Sequence, residues 1–112
     1  MKQLNHYYSL PEAIQQVGPG WTPLIQRVYN AREAIGAPIG IIQVKEKYGG
    51  LRIYTEYRND ELEEVITEVG KESFQICEEC GAPGALRKKY SRYFTACGFH
   101  SEDAEIVDKP WY

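Results

Sequence analysis

Apolar side chains recur at helical spacing in three stretches of the chain. Leu10, Ala13, Ile14 and Val17 repeat with the period of one helix face. Ahead of them Ser9-Leu10-Pro11-Glu12 has the form of a capping box with proline in the first turn. This predicts a short helix over 10–17, stopped by Gly18-Pro19-Gly20. Thr22-Pro23 repeats the logic of cap then proline, and Trp21, Leu24, Ile25, Val28 and Ile35 form one apolar stripe that ends at Gly36. Leu62, Val65, Ile66 and Val69 define a third helix behind the cap Asn59-Asp60, with Glu63 placed to close a box. Phe74 and Ile76 continue that stripe, while Gly70 argues for a break in it. Its outer face, Glu61, Glu64, Glu68 and Glu72, reads as a solvated surface.

Between the second and third helices the period changes to that of strands. Two β-rich runs, 39–48 and 51–57, flank Gly49-Gly50, a dipeptide suited to a type I′ hairpin turn. With those glycines as the loop, Tyr48 faces Leu51, Lys47 faces Arg52, Glu46 faces Ile53, Lys45 faces Tyr54 and Val44 faces Thr55. Ile42, Val44, Leu51, Ile53 and Tyr57 then share a core face, and Lys45, Lys47, Arg52 and Tyr54 the opposite one. Like charges set against each other across a ladder are unfavourable, so Lys47 opposite Arg52 calls for either a solvated edge or an anionic or acidic partner. Glu46 on the apolar face must reach water or pair with an arginine. Further on, 86–89 and 92–96 read as two short strands turning at Tyr90-Ser91. The fold class is α+β: helices packed on a small antiparallel sheet, the hairpin at about 40–57, with a compact C-terminal module.

At 112 residues with 43% hydrophobic side chains and nine tyrosines, the chain reads as one folded domain spanning 1–112. There is no apolar run near the roughly 18 residues of a membrane span. Met1-Lys2-Gln3-Leu4-Asn5-His6 does not open a signal peptide, so a cytoplasmic location is expected. The net charge of −3 disfavours a general nucleic-acid binder. Residues 77–100 nevertheless hold four basic and two acidic side chains, which leaves −5 on the rest.

All three cysteines fall in that segment. Cys77-x2-Cys80, sixteen residues, then Cys97-x2-His100 is the ligand spacing of two knuckles around one tetrahedral zinc ion, a zinc-ribbon-like subregion over 77–100. A redox pair is the competing reading of Cys-x-x-Cys, but it expects a βαβ setting and leaves Cys97 and His100 without a role. Free thiols are the third reading. Glu102 or Asp103 is the substitute ligand if His100 faces away, and His6 has no such neighbour. Four protein ligands close the shell, whereas catalytic zinc keeps a position open, so the expected cofactor is one structural Zn²⁺.

Three stretches together resemble a group of small bacterial and prophage proteins with a KEK-aromatic-GGLR segment upstream of a knuckle pair. They are Gly20-Trp21-Thr22-Pro23-Leu24-Ile25, the run Gln43 to Tyr54 containing Lys45-Glu46-Lys47-Tyr48-Gly49-Gly50-Leu51-Arg52, and Cys77-Glu78-Glu79-Cys80-Gly81 with Thr95-Ala96-Cys97. The resemblance covers about residues 20–100. It implies a bacterial or phage setting and a compact zinc-bearing domain, and carries no activity. The second half is also similar to zinc ribbons in general, from which histidine as fourth ligand departs.

These features predict a small zinc-stabilised binding protein of adaptor or inhibitor type that recognises a protein partner. Lys45, Lys47, Arg52 and Tyr54 on the hairpin and Arg87, Lys88, Lys89 and Arg92 on the ribbon are its candidate contacts, with Tyr48, Tyr90 and Tyr93 beside them. The alternative is a nucleic-acid-binding ribbon that uses the four basic ribbon residues with Tyr90, Tyr93 or Phe94 as stacking surfaces. An enzyme is disfavoured: no Ser/His/Asp set, phosphate-cradling glycine motif or HExxH is present. Only Lys45, Glu46, Lys47 and Arg52, with Glu46 as base toward an anionic substrate, would serve one. The terminal Pro110-Trp111-Tyr112 is expected to pack back on the domain.

Overall fold

The predicted capping box forms at the start of the chain. Ser9 Oγ accepts the Glu12 N–H at 3.3 Å, and the Glu12 carboxylate accepts the Ser9 N–H at 2.9 Å. These bonds open helix α1 (Leu10–Ile14) in a computed structural model that describes residues 6–108. The helix is shorter than its apolar pattern. After it a 3₁₀ turn, Pro19–Trp21, puts Trp21 rather than Thr22 at the N-cap of α2 (Thr22–Ile35). Gly36 closes α2 in the left-handed conformation, φ 78°. Asn59 Oδ1 accepts the Leu62 N–H at 3.0 Å to cap α3 (Asp60–Ser73), which runs through Gly70 without a break. The two long helices are clipped together outside the core, where Arg27 donates to both Glu72 carboxylate oxygens at 2.7 and 2.9 Å.

The hairpin pairs β1 (Ile41–Lys47) with β2 (Gly50–Thr55), but its turn lies one residue earlier than predicted. Tyr48 and Gly49 take the two positive φ angles, 52° and 89°. Gly50 is already in the strand, and a Cβ there would lie 2.3 Å from the Phe74 ring. Its glycine serves close approach to α3, not the turn. The pairing therefore moves by two residues: Lys45 faces Arg52, Glu46 faces Leu51 and Lys47 faces Gly50. A shift of two preserves both faces, so Val44, Leu51 and Ile53 are buried as expected. At the far end the register slips between Ile41 and Gln43, which makes Ile42 the extra residue of a bulge and gives the core position to Ile41. Tyr57 lies beyond the strand and is 49% exposed, not core. Glu46 pairs with no arginine; its carboxylate accepts the Gly49 N–H at 2.7 Å and so holds the turn.

The main core fills the space between the three helices and the hairpin, around Trp21, Ile25, Val28, Ile39, Ile41 and Leu62. A second sheet stands beside it with strand order β4-β3-β5: β3 (Ala85–Lys89), β4 (Arg92–Ala96) and β5 (Glu105–Ile106). The first two strands meet at Tyr90-Ser91 as predicted, with Tyr90 at φ 58°. The third was not anticipated: it adds to the open edge of β3 at Arg87 and Lys88. Cys77, Phe94, Ala96 and Ala104 form a small core under this sheet. The sheets are joined at the hairpin turn, where Thr95 Oγ1 donates to the Gly49 carbonyl at 2.7 Å, and β2 is tied to the end of α3, where the Leu51 N–H donates to Ser73 Oγ at 2.9 Å, both bonds buried. No helix among the described residues is long and apolar enough to cross a membrane. The expectation for Pro110-Trp111-Tyr112 falls outside the described residues.

Candidate metal centre

The two knuckles meet. Cys77 and Cys80 lie at the turn that leaves α3, and Cys97 and His100 flank the 3₁₀ turn Gly98–His100 that follows β4. Pairing of β3 with β4 brings the two turns to one end of the ribbon. His100 Nδ1 lies 3.3 Å from Cys97 Sγ and 3.5 Å from Cys77 Sγ, and Cys80 Sγ lies 3.8 Å from Cys97 Sγ. All four ligand atoms lie within 4.8 Å of one another, a set able to hold one metal ion. His100 is therefore the fourth member of the group. Glu102 turns elsewhere: its carboxylate accepts from Arg92 at 3.2 Å.

The first knuckle is fastened to the main core by a segment that the sequence marks only as a helix stop. The Gly18 N–H donates to the Glu78 carboxylate at 2.9 Å, the Gly20 N–H to the Glu78 carbonyl at 2.7 Å, and Trp21 Nε1 to the Ile76 carbonyl at 2.9 Å. A Cβ on Gly20 would stand 2.0 Å from the Cys77 carbonyl oxygen and 2.5 Å from the Gly81 nitrogen. Gly-Pro-Gly-Trp is thus a backbone socket for Cys77-x-x-Cys80. Two glycines around a proline exceed what ending a helix requires, and that surplus is the signal that could have revealed the socket.

The four groups perturb one another strongly. Burial resists ionisation of Cys97, but the His100 ring and backbone, with the neighbouring thiols, hold it down to about 6. Burial likewise opposes ionisation of Cys77, and backbone hydrogen bonds from Cys97, Cys80 and Glu79 outweigh it and lower its pKa. Cys80 moves the other way: the Ala82 backbone hydrogen bond favours its thiolate, yet burial and the Cys77 and Cys97 sulfurs push it up. His100 is raised by Cys97 and then Cys77. Three thiolates gathered here would repel one another, and a bound cation would offset that repulsion.

No family model, curated protein or solved structure matches the chain.

The remaining predicted contact residues divide into two groups. Register and alternation place Lys45, Lys47, Arg52 and Tyr54 together on the outer face of the hairpin. The four basic ribbon residues do not form one patch. Arg87, Lys89 and Arg92 share a face with Phe94 and hold the C-terminal segment. Arg87 donates to the Ala96 and Ala104 carbonyls at 3.0 and 3.3 Å, Lys89 to the Glu102 carbonyl at 2.7 Å, and Arg92 to the Glu102 carboxylate. Lys88 points the other way with Leu86, Tyr93 and Thr95, the side that meets the hairpin turn.

Proposed function

We propose that the chain is a small zinc-stabilised binding protein, not an enzyme, whose metal is structural and whose partner is a protein. The observation that carries the zinc reading is the spacing of the ligand atoms. A tetrahedron with zinc–sulfur bonds of about 2.3 Å and zinc–nitrogen bonds of about 2.0 Å has edges of about 3.8 Å between sulfurs and about 3.5 Å from sulfur to nitrogen. The Cys80–Cys97 separation is 3.8 Å and the two distances from His100 are 3.3 and 3.5 Å. Three soft sulfurs with one imidazole are also the donor set that zinc takes in closed structural sites. When bound, the ion supplies folding free energy, because the thiolates must be gathered and deprotonated to receive it.

A protein partner is favoured over nucleic acid because Arg87, Lys89 and Arg92 already donate to the chain's own carbonyls and to Glu102, so three of the four basic ribbon residues are engaged within the chain. Affinity capture with the metal-loaded chain, with and without nuclease, tests this reading. Specific protein capture that survives nuclease is expected. Capture lost on nuclease treatment would favour nucleic acid, and no capture at all would remove the binding role.

A further inference from the structure

One surface crosses the seam between the two sheets. On the hairpin, Lys45 Nζ lies 5.8 Å from the centre of the Tyr54 ring and Lys47 Nζ 5.6 Å from that of Tyr48. The Tyr48 ring meets the Tyr93 ring edge to face at 6.5 Å, and Lys88 Nζ lies 5.2 Å over Tyr93. Lysine–tyrosine pairs thus lie on both sheets, the Tyr48–Tyr93 contact links one to the other, and the Thr95–Gly49 bond fixes the join.

Among the described residues none of Lys45, Lys47, Arg52 and Lys88 belongs to an ion pair. Arg52 stands directly opposite Lys45, a like-charge pairing, and its Nε is buried with no hydrogen-bond partner among the described residues. The acids beside this strip do not pair with it among the described residues: Glu46 lies on the other face and holds the Gly49 N–H, Glu105, across from Lys88, forms no ion pair with it, and Glu63, which lines one cavity with Arg52, forms none with Arg52. The chain as a whole is acidic, so the strip is a local reversal of its field.

Building on the protein-partner reading, we propose that this strip docks an acidic segment of another protein. Its carboxylates would pair with Lys45, Lys47, Arg52 and Lys88. Carboxylates on a partner relieve the Lys45–Arg52 repulsion and supply the acceptors the strip lacks. A long polyanion such as nucleic acid would also meet the acidic field of the remaining surface, which a short acidic segment avoids.

The test is a titration of the metal-loaded full chain at low salt, followed by backbone amide NMR, with a short polyglutamate peptide and, in parallel, a single-stranded oligothymidine of equal charge. The expected result is amide shifts confined to the strip on both sheets with polyglutamate and weaker binding of oligothymidine. Lys45→Glu with Lys47→Glu, and separately Lys88→Glu, should each weaken polyglutamate binding roughly tenfold or more, the scale of like charges set face to face. Spectral dispersion confirms that each variant is folded. Shifts elsewhere, affinity unchanged in both variants, no polyglutamate binding, or tighter binding of oligothymidine would overturn the proposal. Nuclease-resistant capture that persists in the same variants would keep the protein-partner reading while rejecting this surface.

Discussion

Gly20→Ala tests whether the first knuckle is bolted to the main core. The new methyl would stand 2.0 Å from the Cys77 carbonyl oxygen, 2.5 Å from the Gly81 nitrogen and 2.7 Å from the Glu78 carbonyl oxygen. All three are backbone atoms, so no side chain can rotate out of the way. Ordinary contact begins at 3.4 Å, which requires the Cys77 carbonyl to retreat by roughly 1.4 Å and strains the 2.7 Å bond from the Gly20 N–H to Glu78. Overpacking of this kind costs about 1–3 kcal/mol, with rigid backbone at the upper end. The lowered entropy of the unfolded alanine chain returns only about 0.4–1 kcal/mol. The net loss is about 2 kcal/mol, or a fall in Tm of roughly 10 °C for a domain of this size. Thermal unfolding of the metal-loaded protein, with metal retention measured against a competing chelator, reads both effects. Gly98→Ala is the control, since it lies in the second knuckle and a Cβ there meets nothing within 4 Å. It should change stability by less than about 0.5 kcal/mol. If the two variants melt together and hold metal equally, the socket is not what positions the knuckle.

Other outcomes follow from single contacts. Thr95→Val keeps the shape of the side chain but leaves the buried Gly49 carbonyl without its 2.7 Å donor, which should cost about 1–3 kcal/mol in denaturant unfolding and loosen the seam between the sheets. An unchanged midpoint would mean that water replaces the hydroxyl. Arg27→Ala removes the clip between α2 and α3 and should cost about 1 kcal/mol or less, because the pair is largely exposed. The Arg27 hydrogen bond holds Glu72 below its ordinary carboxylate pKa, so its contribution is present above the ordinary range and fades as pH falls through the depressed value. NMR titration of Glu72 should move up to the ordinary range in the variant, and no movement would refute the pairing. Cys97→Ser should lose the metal and unfold at least the region after residue 76; a mutant that keeps both metal content and melting temperature would refute the ligand assignment.

The parts of this structure legible in the sequence are those that local chemistry decides. Capping at Ser9 and Asn59, the helix end at Gly36 and the ligand spacing in the knuckles each depend on residues within a few positions of one another. The hairpin shows where that stops. Gly49 and Gly50 are equivalent as a dipeptide, but one is needed for its φ and the other for the space it leaves Phe74, and only the packed helix distinguishes them. Val44, Leu51 and Ile53 keep their core face, because a shift of two residues leaves alternation intact, whereas the bulge displaces Ile42 and the end of the strand leaves Tyr57 outside. Strand β5 was hidden for a similar reason: an acidic two-residue strand has no pattern of its own and exists because β3 has an open edge. Charge counting erred in the same direction, since four basic residues within six positions look like a patch until alternation sends Lys88 to one side and the others to carbonyls on the other.

The most direct test of the whole account is X-ray absorption spectroscopy on the zinc-loaded protein. The predicted spectrum has three sulfur neighbours at about 2.3 Å and one nitrogen neighbour at about 2.0 Å around each ion, with one ion per chain. Fewer than three sulfurs, or an oxygen in the first shell, would contradict a closed structural centre.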